Sequence, residues 1–170
     1  MVGETVRETC LAICMTMMSK HLSLPRTKAE WNKIIDDFYF ITDFPNCIGA
    51  LDGKRFKITQ PASSGSLYYD YKGNFSIIML ALVDAKCRFT YVDIGAPGHC
   101  SDAGVWNRCD LLKLIEENSL EIPHERKLPD SERSSPMVIV GDDAFPLKTY
   151  MMKPWAGQQE DDKKVLFNYR

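Results

Sequence analysis

Residues 77–83 form the longest uninterrupted apolar run in the chain, and the wider segment 75–83 is apolar on both faces of the strand that it would form. A strand of this kind belongs in the centre of a sheet that is covered on both sides. The run is much shorter than the roughly 20 residues that a bilayer span needs. We therefore expect an α/β domain built around this strand, without a membrane span.

Further strands are predicted on either side of this segment. Residues 47–51 and 137–140 are short apolar runs, residues 55–59 alternate with a period of two, and residues 88–94 are rich in aromatic and β-branched side chains. Residues 84–87 have the composition of a hairpin turn. The pattern predicts a sheet of several strands.

Helices are predicted before and between the strands. Thr27 and Glu30 match a capping box, and the apolar spacing after them predicts a helix to about Thr42. Apolar spacing and proline positions predict three other helices: an amphipathic helix at 4–20, a helix that begins at Ser101 and Asp102, and a helical segment at 146–153. The apolar side of the helix after Ser101 consists of Val105, Trp106, Leu111, Leu112 and Ile115. Residues 116–136 are polar and are predicted to form a surface loop. Two helices precede every strand, so residues 1–43 are interpreted as a helical appendage, the remnant of an upstream helical region.

The composition excludes one class of nucleic-acid protein. The 170-residue chain is about one domain in length, with a net charge of −2 and a pI of about 5.9. Domains that hold nucleic acid by bulk positive charge usually have a pI above about 9. The six cysteines form no C-x-x-C pair and are interpreted as reduced, buried thiols of an intracellular protein. A zinc site from His99, Cys100 and Cys109 is a weak alternative, since the ligand spacing is absent.

Two of the short apolar strands end in an aspartate beside a glycine. Asp52 follows Leu51, and Asp142 follows Gly141. If these strands lie side by side and parallel, the two carboxylates meet at one edge of the sheet, where their repulsion either raises one pKa or calls for a cation. Mg²⁺ is typically held by one or two carboxylates. The alternative is that both aspartates simply suit turns after strands.

Other polar residues are weaker candidates. Asp102 is a third possible ligand, although Ser-Asp before an apolar run is also an ordinary helix N-terminus. Four further candidates are carboxylates and a histidine in strands or loops: Asp84, Asp93, Asp143 and His99. The basic side chains that could approach phosphates, or lie on a solvated strand face, are Lys54, Arg55 and Lys57. A tyrosine-rich segment either binds single strands or packs on the sheet, and it consists of Tyr68, Tyr69, Tyr71 and Lys72.

Six motifs, in order, resemble those of the PIF/Harbinger transposases and the nucleases derived from them. They are FPNCIGALDG at 44–53, YDYKG at 69–73, LALVDA at 80–85, DIGAPG at 93–98 followed by SD at 101–102, VGDDAFPL at 140–147 and MKP at 152–154. The resemblance covers about three quarters of the chain, from residue 44 to the end. It implies a DDE-type endonuclease with an RNase H-like fold, in which carboxylates hold Mg²⁺ or Mn²⁺. We expect residues 44–170 to form this core, as a mixed sheet flanked by helices with a two-helix N-terminal appendage, in the α/β or α+β class.

The resemblance also implies roles for individual residues. Asp52 resembles the first metal-binding aspartate, Asp142 the aspartate of the Gly-Asp motif, and Asp102 the intervening acidic residue. Which of Asp102 and Asp142 is the second member of the triad is left open. The family's last acidic residue is a glutamate in a later helix, whereas this chain reaches residues 167–170 without one, and Glu160 lies before that stretch. The core is therefore expected to be incomplete at its C-terminal end.

The resulting prediction is a metal-dependent DNA endonuclease that hydrolyses phosphodiester bonds, with Asp52, Asp102 and Asp142 as catalytic and metal-binding residues. The alternative is a catalytically inactive, domesticated transposase that binds DNA or a Myb-like protein without cutting. Either function is expected in the nucleus, with the cytoplasm as a second location. The oligomeric state is left open.

Overall fold

Residues 2–169 are described in the computed structural model of the chain. Their helices and strands follow the order α1 (Val2–His21), α2 (Lys28–Thr42), β1 (Cys47–Lys57), β2 (Ser76–Val83), β3 (Phe89–Pro97), α3 (Asp102–Trp106), α4 (Asp110–Glu116), β4 (Glu125–Lys127), β5 (Ser134–Pro136), β6 (Val138–Gly141), β7 (Met151–Met152) and α5 (Asp162–Tyr169). None of the helices in this range has the length and apolarity that crossing a bilayer requires.

Five strands form one mixed sheet in the order β3-β2-β1-β6-β7. The first three strands pair antiparallel, while β6 pairs parallel with β1, and β7 parallel with β6. A second, two-stranded sheet pairs β4 with β5. The expected RNase H-like mixed sheet, flanked by helices, is confirmed.

The core lies around β2 and β1, as the apolar run predicts. Ile78, Leu80 and Leu82 of β2 are fully shielded from solvent. Trp106 from α3 packs edge-on against Phe145, with ring centroids 6.5 Å apart, and both rings are buried. Such large buried side chains contribute most of the hydrophobic stabilisation of the domain.

The second helix is built as the sequence predicts and belongs to this core. The Thr27 hydroxyl accepts a hydrogen bond from the backbone N–H of Glu30, whose carboxylate in turn accepts from the N–H of Thr27. Trp31 and Ile35 are buried and join the same cluster as the sheet. The boundary at residue 43 between appendage and core stays a prediction. α1 differs from α2, because none of its residues is buried.

β1 is one strand where two were predicted. It runs without interruption from Cys47 to Lys57, because β2 pairs along it from Ala50 to the end. Asp52 and Gly53 therefore lie inside the strand and do not form a turn. The ladder on its other side is shorter, since the pairing with β6 ends at Leu51 and Gly141.

The helix predicted after Ser101 is two short helices, α3 and α4, joined through an extended Cys109. In one continuous helix, Leu111 would point about 140° away from Trp106, at 3.6 residues per turn. The break turns both side chains into the core, where they are 1% and 0% exposed. Burial of both side chains is the physical reason for the break.

The helix predicted at 146–153 is also wrong. This segment forms turns and the two-residue strand β7, in which Met151 pairs with Ile139 and is fully buried. The backbone N–H of Ile139 donates to the carbonyl of Tyr150. The pairing of β7 with β6 at the edge of the sheet stabilises the extended conformation more than Pro146 favours the start of a helix. The loop predicted at 116–136 contains the small β4–β5 hairpin, which the sequence reasoning missed.

The cysteines carry no disulfide, but the prediction that all six are buried is wrong. Cys10, Cys14 and Cys87 are exposed, whereas Cys47 and Cys109 are buried. Burial raises the pKa of Cys47 to about 12, so this thiol stays protonated at neutral pH. The exposed cysteines lie on the unpacked α1 and in the β2–β3 turn, where apolar neighbours in sequence do not produce burial.

The capping box predicts a measurable loss of stability when it is removed. Thr27→Ala deletes the hydroxyl that accepts from Glu30 N–H, and we expect a loss of about 1 kcal/mol in the free energy of unfolding. Urea unfolding followed by far-UV circular dichroism measures it. Thr16→Ala is the matched control, because its hydroxyl donates only to the Ala12 carbonyl on the exposed α1. Equal stabilities of the two variants would contradict this role for Thr27.

Candidate metal centre

The parallel pairing of β1 and β6 brings two of the predicted residues to one edge of the sheet. Leu51 of β1 pairs with Gly141 of β6, and Asp52 and Asp142 each follow their paired residue by one position. Both aspartates are exposed. The Asp52 carboxylate accepts a hydrogen bond from its neighbour Gly53 N–H at 2.7 Å, and that of Asp142 accepts from Ala144 N–H at 2.9 Å. Oxygen atoms on both carboxylates remain open to a ligand.

The third predicted residue, Asp102, reaches this edge from α3. Ser101 caps the helix by accepting from Gly104 N–H, which places Asp102 in its first turn. Its carboxylate lies directly over Gly53, where a Cβ would come within 2.7 and 2.8 Å of the two carboxylate oxygens. Because real Cβ atoms do not approach so closely, the missing side chain at Gly53 is what leaves room for the Asp102 carboxylate at this place on β1.

Arg55 holds Asp102 in place. Its guanidinium lies 3.3 Å from the Asp102 carboxylate and donates to the Cys100 carbonyl at 2.7 Å. Both side chains of the pair are about 15% exposed. The guanidinium also lies 4.9 Å from the ring centroid of Tyr71, which is a cation–π contact. Arg55 is therefore a structural partner of the cluster, whereas the sequence suggested only a phosphate contact or a solvated strand face.

The pKa of Asp102 responds to the charges of the other two carboxylates. Burial raises the pKa of Asp102, the Arg55 charge opposes this, and the negative charges of Asp142 and Asp52 raise it further. The net direction is upward, so desolvation and repulsion outweigh the ion pair. Asp52, Asp102 and Asp142 thus share one region of negative potential.

The arrangement is not a closed metal cage. Within residues 2–169 no group of three or more His, Cys, Asp or Glu side chains is placed to hold one ion together, and Asp102 faces Arg55 instead. The donor set still fits Mg²⁺ or Mn²⁺, because these hard cations take oxygen ligands and bind through one or two carboxylates. Asp52 and Asp142 supply such a pair. Their role as ligands stays a prediction, as does that of Asp102.

The weaker candidates have local partners. Lys153 pairs with Asp143 at 2.9 Å, the Asp84 carboxylate accepts from backbone N–H groups in the β2–β3 turn, and a ring nitrogen of His99 lies 2.6 Å from the Leu67 carbonyl. Asp93 lies on β3, two strands away from β1.

The zinc alternative is not supported by the described residues. Cys109 is buried, whereas His99 is exposed beside Cys100, and the three form no ligand group.

Two parts of this region were missed by the sequence reasoning. Gly53 was interpreted as a turn residue, whereas in the structure its missing side chain leaves space for the Asp102 carboxylate. Asp70 was not singled out, yet it is 5% exposed and organises the turn that carries Tyr71. The pattern Asp-x-x-Gly around residue 70 is the signal that indicates such a turn.

Comparison with known proteins decides the family. Residues 51–170, about 70% of the chain, match the DDE superfamily endonuclease family. The chain belongs to this family. No solved structure is a significant match to it.

Relatives of the chain in this family come from plants and animals. The ALP1-like protein of Arabidopsis thaliana is 34% identical over 153 residues, which cover 88% of this chain and 36% of the relative. HARBI1 of Rattus norvegicus, whose name includes the word nuclease, is 25% identical over 136 residues, or 80% of this chain and 35% of the relative. The Arabidopsis protein named antagonist of like heterochromatin protein 1 is 27% identical over 127 residues, 74% and 32% of the two chains. The chain therefore spans about a third of the length of these curated relatives.

The close approach of Asp102 to Gly53 can be tested by a double-mutant cycle. Gly53→Ala introduces a Cβ that must displace the carboxylate, and we expect it to cost about 1–3 kcal/mol in the free energy of unfolding. In an Asp102→Ala background the same change should cost at least about 1 kcal/mol less. Chemical denaturation of the four proteins measures this coupling.

Gly3→Ala is the control for this cycle. Nothing lies within 4 Å of the added methyl on α1, so its effect should stay within about 0.5 kcal/mol. A Gly53→Ala cost that is the same in both backgrounds would show that Asp102 does not lie over the glycine.

Proposed function

We propose that the chain carries the carboxylate centre of a metal-dependent endonuclease that hydrolyses phosphodiester bonds in DNA. The observation that carries the proposal is the matched position of Asp52 in β1 and of Asp142 directly after β6, within electrostatic reach of a third carboxylate, Asp102. Membership of the DDE superfamily endonuclease family and the nuclease names of the animal relatives support it.

Asp52 and Asp142 would hold Mg²⁺ or Mn²⁺, and Asp102 would assist from α3. A divalent cation there supplies a water of lowered pKa and neutralises charge on the phosphate. The backbone N–H groups of Gly53 and Ala144 donate hydrogen bonds to Asp52 and Asp142, and these bonds would orient the carboxylate oxygens that remain open to the cation. Arg55 fixes the orientation of Asp102 and offsets part of the negative charge that DNA would meet. The nucleus is the proposed site of action, with the cytoplasm as a second location.

Metal titration tests this proposal directly. We expect Mn²⁺ binding by isothermal titration to weaken at least about tenfold in Asp52→Asn and in Asp142→Asn, since each change removes one anionic oxygen ligand. Asp143→Asn is the matched control: it changes the next residue, whose carboxylate already pairs with Lys153. Its Mn²⁺ affinity should stay within about twofold of the unchanged protein. Nicking of supercoiled plasmid in Mn²⁺ should follow the same order.

A second function has its own supporting observation. Asp102 faces Arg55, and no three ligand side chains converge among residues 2–169, which favours a silent module that binds DNA or a Myb-like protein without cutting. The name of one plant relative, an antagonist of a heterochromatin protein, also describes an activity other than cleavage. Mn²⁺ binding that is absent, or unchanged in Asp52→Asn, would reject the endonuclease and leave this module as the function.

A further inference from the structure

The turn at residues 69–75 is a rigid structure built around a buried carboxylate. One oxygen of Asp70 accepts hydrogen bonds from the N–H groups of Lys72 and Asn74, each at 2.9 Å, and the other accepts from the Ser76 hydroxyl at 2.7 Å. Tyr69 and Phe75 pair across its base. The Ser76 and backbone donors lower the pKa of Asp70, so the carboxylate is charged at neutral pH and its acceptor bonds are kept.

This turn presents Tyr71 at its tip. The side chain is 76% exposed. Packing accounts for the neighbouring tyrosine, because Tyr69 lies 5.3 Å from the Phe75 ring, centroid to centroid. It does not account for Tyr71, whose described ring contacts are the cations of Arg55 and Lys72 at 4.9 and 5.4 Å. A turn held by hydrogen bonds that exposes an aromatic ring next to two cations has the properties of a binding surface.

The position of Tyr71 links this surface to the carboxylate centre. Arg55 lies against the ring and also pairs with Asp102, which in turn lies over Gly53, the residue after Asp52. One arginine side chain thus contacts both the exposed ring and Asp102. A ligand on Tyr71 would therefore lie next to a DNA strand bound at the carboxylate centre.

We propose that Tyr71 stacks on an unpaired base of a DNA strand, with Lys72 beside the adjoining phosphate. The inference rests on the proposed function, and it specifies the substrate as DNA with at least one unpaired nucleotide. Proteins that bind single strands combine aromatic platforms with basic side chains in this way. Because the net charge of the chain is −2, affinity for DNA requires local contacts of this kind rather than a positive surface.

Fluorescence anisotropy tests the proposal with a labelled 12-nucleotide single strand and a hairpin duplex of the same composition. Excess EDTA keeps metal binding and cleavage out of the measurement. We expect Tyr71→Leu to weaken binding of the single strand about tenfold and to change binding of the duplex less than about twofold. Tyr71→Phe, which keeps the aromatic face, should bind like the unchanged protein. Lys72→Gln should weaken binding of both probes and reduce the dependence of affinity on salt.

Tyr169→Leu is the matched control, because Tyr169 is 88% exposed on α5. Its affinity for the single strand should not change, and thermal melting of every variant verifies that it is folded. The proposal is overturned if Tyr71→Leu binds the single strand as tightly as the unchanged protein, if it loses both probes equally, or if the unchanged protein binds neither probe. Mn²⁺ binding that fails while single-strand binding persists would reject the endonuclease alone.

Discussion

The parallel ladder between β1 and β6 is the contact on which the carboxylate edge depends. β6 has only four residues, but its Ile139 is fully buried and Leu51 of the neighbouring β1 is 2% exposed, so buried apolar side chains hold the two strands together. A shift of one residue would exchange the side chains that β6 directs to the two faces of the sheet. It would also separate Asp52 from Asp142. The core therefore fixes the relative position of two exposed, charged side chains that have no direct bond to each other.

Asp102 shows how a third carboxylate can be held near these two. Burial and two like charges oppose its ionisation, and Arg55 alone among its charged neighbours favours it. Arg55 can do so because β1 continues past Asp52, which carries the guanidinium to the same face as Gly53 and α3. The continuous strand β1 thus supplies both the anionic Asp52 and the cationic Arg55, whose charge compensates that of Asp102. The Arg55 charge thereby offsets part of the repulsion that the other two carboxylates exert on Asp102.

Local patterns predicted the parts of the structure that local forces decide. The Thr27–Glu30 box, the hairpin at 84–87 and the burial of β2 depend on neighbours in sequence or on a strong apolar run. The parallel pairing of β1 with β6 was only a condition of the sequence argument, and the structure fulfils it although Asp52 lies inside β1. Tertiary packing decided the rest: the break between α3 and α4 serves the burial of Trp106 and Leu111, and β7 replaces a weak helix because Met151 completes the sheet. The use of Gly53 as space for Asp102 was not predictable, because it depends on a residue 49 positions away in another element.

The charge distribution explains why aromatic contact and the carboxylate centre are placed together. A cluster of three aspartates repels a phosphate backbone, and a chain with a net charge of −2 does not offset this by long-range attraction. Stacking is insensitive to that repulsion, since every base offers a flat face whatever its charge. Tyr71 is fixed by the Asp70 turn and contacted by Arg55, so little ordering entropy is lost when a base stacks on it. Affinity for an unpaired nucleotide at this edge can therefore come from the rigidity of one turn rather than from a basic surface.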